Sequence, residues 1–101
     1  MPRRKTFTVD AEKVQGNPGA TVTFTNITVG ERAEYLADDK ADDHTILKRH
    51  LIDWKGIVDN DDKDLPSPAD EPDVLNALYM DEQRAFARLF WQGPDGESAK
   101  N

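Results

Sequence analysis

Residues 21–31 read TVTFTNITVGE, and within this stretch the spacing of the apolar side chains changes from that of a strand to that of a helix. Val22 and Phe24 alternate with threonines, which is the period of two that a strand with one buried face produces. Thr28 is followed three residues later by Glu31, which is the spacing of a capping box at a helix N-terminus. The stretch therefore predicts a strand and, directly after Thr28, a helix.

A partner for this strand is predicted immediately before it. Phe7 and Val9 also alternate with polar residues, and the Gly-Asn-Pro-Gly sequence at 16–19 is a turn signal. Residues 6–25 are therefore predicted to form a β-hairpin with one buried face. The three basic residues ahead of it are followed by no apolar run, so residues 1–5 are interpreted as a basic flexible tail and not as the start of a signal peptide.

Helices are predicted after the hairpin. Three helices are predicted, at about 29–40, 43–55 and 70–91, because apolar residues recur every three or four positions. Pro72 fits only the first turn of the third helix, which is either continuous or broken near Asp81. Each helix has its apolar positions on one face, which in the third helix is expected to be the inner face: Val29, Ala33, Leu36 and Ala37 in the first, Ile46, Leu47, Leu51 and Trp54 in the second, and Val74, Leu75, Leu78, Tyr79, Phe86, Leu89 and Phe90 in the third.

A single small domain over residues 6–91, mainly α with a small N-terminal β-hairpin and three to four helices, is the fold class that these patterns predict. A chain of 101 residues has room for one domain and can remove roughly 65% of its unfolded surface from water. Leu, Ile, Val and Phe together number 21, so a thin core and marginal stability are expected. Residues 92–101 are polar, and a disordered tail is predicted there.

The charge balance limits the classes of partner. The chain carries 20 acidic and 13 basic residues, and this formal charge of −7 disfavours nucleic acid and membrane surfaces as partners. The chain has no cysteine, which suits a reducing compartment, and it has no apolar run of about 18 residues that could span a bilayer. A cytoplasmic protein that binds neither nucleic acid nor membranes is expected.

The histidines and serines are the natural candidates for catalysis, but their positions do not suit it. His44 and His50 are six residues apart and lie off a common helical face, whereas zinc-binding pairs are usually about four apart. His50 and Asp53 are interpreted as a surface ion pair. The two serines, Ser67 and Ser98, suggest no Ser/His/Asp arrangement. The sequence therefore predicts a protein that is not an enzyme and has no cofactor.

The acidic segment at 59–64 imitates part of a calcium-binding loop. Asp59 and Asp61 match the first two ligand positions, but Lys63 occupies the next one and Asp64 stands where such loops need glycine. The segment is therefore interpreted as a solvated loop, and no metal site is predicted.

Aromatic side chains are the remaining candidates for function. Phe90 and Trp91 are adjacent, so on a helix their side chains diverge by about 100° and can hardly both be buried in so small a domain. At least one of these rings is therefore expected to contact a partner, while Trp54 is also expected to pack inward. Four aromatic residues are predicted to bind a protein partner: Trp91, Phe90, Tyr79 and Trp54.

Four short segments follow one another in an informative order. They are Val-Thr-Phe at 22–24, Thr-Val-Gly-Glu at 28–31, LIDWKGIVD at 51–59 and Leu-Pro-Ser-Pro at 65–68. Over roughly residues 20–91 this order resembles the small tail assembly chaperone family of long-tailed, siphovirus-type bacteriophages. Members commonly carry a Trp followed by a Gly and an acidic turn, then a Leu-Pro pair ahead of a C-terminal helix. This chain departs from the pattern in the turn, where Lys63 or Asp64 stands in the place often held by Gly.

The resemblance implies a largely helical protein that binds and solubilises the apolar, helical tape measure protein before the tail tube polymerises around it. It also implies self-association along that client, a location in the host cytoplasm and absence from the mature virion. Many members are made in two lengths by ribosomal frameshifting, and Lys100-Asn101 can be encoded by a slip sequence. A longer, frameshifted form would then contact the tail tube protein.

Two other functions stay open on the sequence. One is a permanent structural neck or connector protein of a phage particle, which would persist in purified virions. The other is an acidic inhibitor that mimics nucleic acid, for which the aspartate clusters would have to form a regular surface.

Overall fold

The computed structural model describes residues 3–94, along which strands and helices are mixed. The elements in chain order are β1 (Thr6–Asp10), α1 (Glu12–Gln15), β2 (Thr21–Thr25), α2 (Val29–Ala37), α3 (Asp43–His50), β3 (Leu51–Lys55), a 3-10 helix (Pro72–Ala77) and α4 (Met80–Gln92). None of the helices in this described range is both long enough and apolar enough to cross a bilayer.

The three strands form one antiparallel sheet in the order β1-β2-β3. Phe7 lies opposite Phe24, and Val22 lies between Val9 and Trp54, so these side chains line up on one buried face of the sheet. On the other face Thr8 lies opposite Thr23, and their hydroxyl oxygens are 2.8 Å apart. The chain is therefore a small mixed α/β domain, and the predicted fold class, mainly α with only a hairpin, is wrong.

The second predicted helix, at 43–55, is in fact a helix followed directly by a strand. Helix α3 ends at His50 and β3 begins at the next residue. The ladder to β2 is irregular and accommodates Ile52 as an extra residue. This bulge brings Leu51 and Trp54, three residues apart, onto the same buried face, although a regular strand would place them on opposite faces. Their spacing therefore imitates a helical stripe.

The third predicted helix, at 70–91, consists of two elements. The 3-10 helix begins with Pro72 in its first turn, where the missing N–H costs no hydrogen bond. Leu78 and Tyr79 are extended, and the Tyr79 N–H donates to the Glu82 carboxylate (2.7 Å) as α4 begins. The break thus lies at these two residues, slightly before the position expected from the sequence.

The two predicted tails fall partly outside the described residues. Residues 95–101, most of the tail predicted to be disordered, lie outside them, and so do the first two residues. The last residues of the basic segment are bonded to the end of the hairpin. The Asn26 N–H donates to the Lys5 carbonyl (2.8 Å), and the Asn26 side-chain amide donates to the Arg4 carbonyl (3.1 Å).

The core lies between the sheet, α3 and α4. The Phe24 ring centroid lies 5.4 Å from that of Phe7 and 5.4 Å from that of Phe90 on α4. The Trp54 ring lies 6.1 Å from Phe86, and its Nε1 donates to a backbone carbonyl at 3.3 Å. Buried side chains of this size contribute about 1.5–3 kcal/mol each to stability. The sheet face is therefore covered by α3 and α4, which leaves α2 outside the core.

Candidate interaction surface

Helix α2 is capped by its own residues. Thr28 Oγ1 accepts a hydrogen bond from the Glu31 N–H (3.1 Å), and Glu31 Oε1 accepts one from the Thr28 N–H (3.0 Å). The hydrogen bond from the Thr28 backbone is the main cause that lowers the pKa of the Glu31 carboxyl. These bonds form the capping box that the sequence predicts. The helix ends at Ala37, before the end of its predicted range of 29–40.

The apolar face of α2 points to solvent. Val29 is 87% exposed, Leu36 is 65% exposed, and Ala33 between them is also exposed. Residues at i, i+4 and i+7 lie on one side of a helix, so these three side chains form a continuous apolar stripe, which we call the α2 stripe. No residue of α2 is buried. The apolar face that the sequence predicts for this helix therefore lies at the surface, because α3 and α4 already cover the sheet.

Tyr35 connects α2 to the rest of the domain and is the one residue of this helix that is not fully exposed. Its ring makes edge contacts with the rings of His50 (centroids 5.6 Å apart) and Trp91 (6.2 Å). The Arg49 guanidinium lies over the Tyr35 ring, 5.6 Å from its centroid. Tyr35 lies about 100° around the helix from Leu36, so these contacts leave the α2 stripe uncovered.

A buried histidine links Tyr35 to the sheet. His50 Nε2 lies 2.7 Å from the Tyr35 hydroxyl, and His50 Nδ1 lies 2.7 Å from Thr25 Oγ1 on β2. Arg49 Nη1 donates to the Tyr35 hydroxyl oxygen (2.9 Å). The imidazole also stacks on the Phe90 ring, with centroids 5.0 Å apart. Both ring nitrogens therefore have hydroxyl partners, and the buried polar group is satisfied.

His50 favours its neutral form in this environment. Burial is the main cause that lowers its pKa below the ordinary 6.5, Arg49 acts in the same direction, and Glu31 opposes both. The interpretation of His50 as a surface ion-pair partner is therefore wrong. The sequence did contain a signal for its burial, because His50 lies four residues after Ile46 and three after Leu47, on the apolar face of α3.

The four aromatic residues predicted to bind a partner do not form one surface. Phe90 and Trp54 are buried at 3% and 6% exposure, so neither presents a ring to a partner. Trp91 is half-buried between Phe90 and Tyr35 and supports the attachment of α2. Tyr79 is exposed, and its hydroxyl donates to the Asn60 side chain.

Tyr79 belongs to a second, smaller exposed region at the start of α4. Met80 beside it is 72% exposed. Tyr79 also lines a cleft of about 350 Å³, whose wall includes several carboxylates from the acidic loop and from α4: Asp59, Asp62, Asp81 and Glu82. This region combines apolar and acidic groups, in contrast to the apolar α2 stripe.

The acidic loop at 59–64 is held by hydrogen bonds between its own residues. Asp59 Oδ1 accepts hydrogen bonds from the backbone N–H groups of Asp61 (2.8 Å) and Lys63 (3.1 Å). The bond from Lys63 is the main cause that lowers the pKa of Asp59. Within residues 3–94 no group of three or more metal-binding side chains is placed to hold an ion.

Comparisons of this chain with protein-family models, with curated proteins and with solved structures give no match.

Proposed function

We propose that this chain is a tail assembly chaperone whose α2 stripe binds the apolar, helical tape measure protein. One observation carries the proposal: a capped helix exposes Val29 and Leu36 and is attached to the domain through Tyr35. An apolar stripe on an exposed helix is the kind of surface that an amphipathic partner helix covers. The identity of that partner comes from the family resemblance of residues 20–91.

The length of the α2 stripe suits a weak, repeated contact with a long helix. Val29 and Leu36 are two turns apart, a separation of about 10 Å along the helix axis. Covering a large apolar side chain contributes about 1.5–3 kcal/mol, so one copy would bind weakly. A chaperone that must leave before the tail is complete needs such reversible contacts, and many copies along one client would supply the avidity.

The charge of α2 and its surroundings supports the same function. Glu31 and Glu34 are exposed on α2, and Asp38 and Asp39 follow directly after it. With a formal charge of −7 over the chain, a client coated by this protein would carry many negative charges. Like charges keep such complexes apart from one another and in solution.

The test is co-expression with a tape measure protein of a siphovirus-type phage. We expect the unaltered protein to keep the client in the soluble fraction, and a Val29→Ser, Leu36→Ser double variant to leave most of it insoluble. The two substituted residues are exposed, so the variant should fold and melt like the unaltered protein. We expect the double substitution to weaken binding by about 2 kcal/mol or more, the usual scale for interface anchors.

A Glu34→Ser variant is the matched control, because Glu34 is exposed on the opposite side of α2 from the stripe. It should solubilise the client as well as the unaltered protein does. A client that stays soluble with the double variant would contradict the α2 stripe as the binding surface. A client that is insoluble with the unaltered protein would contradict the chaperone function itself.

A further inference from the structure

Strand β1 is one edge of the sheet, and the bonds at its two ends fix which backbone groups face β2. The Asn26 N–H donates to the Lys5 carbonyl (2.8 Å) just before β1, and the Ala11 N–H donates to the Ala20 carbonyl (2.8 Å) just after it. In an antiparallel pair, residues that bond to the neighbouring strand alternate with residues whose groups point the other way. The odd-numbered residues from 5 to 11 therefore bond to β2.

The even-numbered residues of β1 point their backbone groups away from the sheet. These are Thr6, Thr8 and Asp10, and within residues 3–94 their N–H and C=O groups make no backbone hydrogen bond on that outer side. The three side chains are exposed. Of the usual devices that protect a sheet edge from pairing, the strand contains no proline, no lysine and no bulge, and its one charged side chain is Asp10 at the end. In the part of the chain that the structure describes, the outer edge of β1 is thus a regular row of donors and acceptors that no other segment covers.

We infer that β1 pairs with β1 of a second copy of this chain, antiparallel and about a two-fold axis at Thr8. In this register Thr8 faces Thr8 of the second copy, and Thr6 faces Asp10 of the second copy. All of the outward backbone groups of both strands are then paired, and the two three-stranded sheets join into one continuous sheet. This inference does not rest on the proposed function, because it concerns a sheet edge and not the α2 stripe.

The charges at the two ends of β1 identify a second copy as the occupant of this edge. Arg4 and Lys5 precede the strand, while Asp10 ends it and Glu12 follows it. Antiparallel pairing about Thr8 brings the basic end of each strand against the acidic end of the other. Arg4 then lies close to Asp10 and Glu12 of the second copy, and such opposite-charge pairs across strands are favourable. A parallel pair would place like charges together.

The test is sedimentation equilibrium of the full chain and of a Thr8→Pro variant. The Thr8 N–H makes no bond to β2, so proline removes a hydrogen-bond donor that only the second copy would use. We expect the unaltered protein to form a dimer and Thr8→Pro to weaken dimerisation at least tenfold. A Thr8→Val variant is the matched control, because it loses the hydroxyl contact with Thr23 Oγ1 (2.8 Å) but keeps the N–H. It should dimerise like the unaltered protein.

Charge reversal tests the register without removing any backbone hydrogen-bond donor. It also keeps the inference testable if circular dichroism shows that the Thr8→Pro variant does not fold. Arg4→Glu and Glu12→Arg should each weaken the dimer about tenfold, and the double variant should restore it. An unaltered protein that stays monomeric at about 100 μM would overturn the inference. So would a folded Thr8→Pro variant with an unchanged dimer, or a double variant no better than either single one.

Discussion

Gly56 follows β3 and closely approaches the backbone where β2 is about to begin. Its φ is +73°, and a Cβ atom at this position would lie 3.1 Å from the Cα and 3.3 Å from the Cβ of Ala20. Ala20 is fully buried at 0% exposure, so it cannot move aside without disturbing the strand that follows. Gly56 therefore combines a backbone conformation that favours glycine with a space that only glycine fits.

We predict that Gly56→Ala lowers the free energy of unfolding by more than Gly16→Ala does. Gly16 has a similar φ of +77°, but a Cβ there would meet nothing within 4 Å. The control therefore measures the cost of the left-handed backbone alone, about 1–2 kcal/mol, and the excess at Gly56 measures the contact with Ala20. Urea unfolding of both variants provides the comparison. Equal losses would mean that the contact relaxes without cost.

At the scale of elements, the parts of the fold that the sequence predicts well are those with local causes. Strands β1 and β2 follow from an alternation of apolar and polar residues around a turn signal, and the start of α2 follows from a capping box. Each of these signals involves residues close together in the chain. They act in the same way wherever the segment lies in the fold.

The parts that the sequence predicts poorly depend on distant residues. Leu51 and Trp54 have helical spacing, and only the bulge in pairing with β2 explains their shared burial in a strand. The sequence likewise predicts that α2 has an apolar face. Whether this face is buried depends on whether α3 and α4 leave room for it against the sheet. Packing across the sheet also decides the burial of Phe90 and Trp54, which are predicted from the sequence to bind a partner although the Trp54 ring is also expected to pack inward.

Helix α2 should be the least protected of the longer helices, because its attachment depends on Tyr35. We predict that Tyr35→Ala speeds amide hydrogen exchange throughout Val29–Ala37, since it removes the ring contacts with His50 and Trp91 and the hydroxyl partner of His50. Leu36→Ala is the matched control, because Leu36 is exposed and alanine favours helices. Its exchange rates should stay close to those of the unaltered chain. Unchanged exchange in Tyr35→Ala would show that other contacts hold α2.

At the scale of the whole molecule, His50 joins α2, α3, β2 and α4 through Tyr35, Thr25 and Phe90. Its ionisation therefore affects the packing of most of the domain. Because burial lowers its pKa below 6.5, the unfolded chain binds a proton at this position at a higher pH than the folded chain does. Stability is then greatest above pH 6.5 and falls as the pH is lowered through the range below it, toward the pKa of the folded state.

We predict that the free energy of unfolding, measured in urea, is lower at about pH 5.5 than at about pH 7.5, and that His50 causes most of the difference. The carboxyls of Glu31, Asp42 and Asp59 also have lowered pKa values, but their ordinary values of 4.5, 3.8 and 3.8 place their contribution at more acidic pH. His50→Gln should remove the slope between these two pH values, because an amide can bond to the neighbouring hydroxyls without taking up a proton. His44→Gln should keep the slope, since His44 lies outside the buried network. A slope that survives in His50→Gln would mean that another group links proton binding to the stability of the domain.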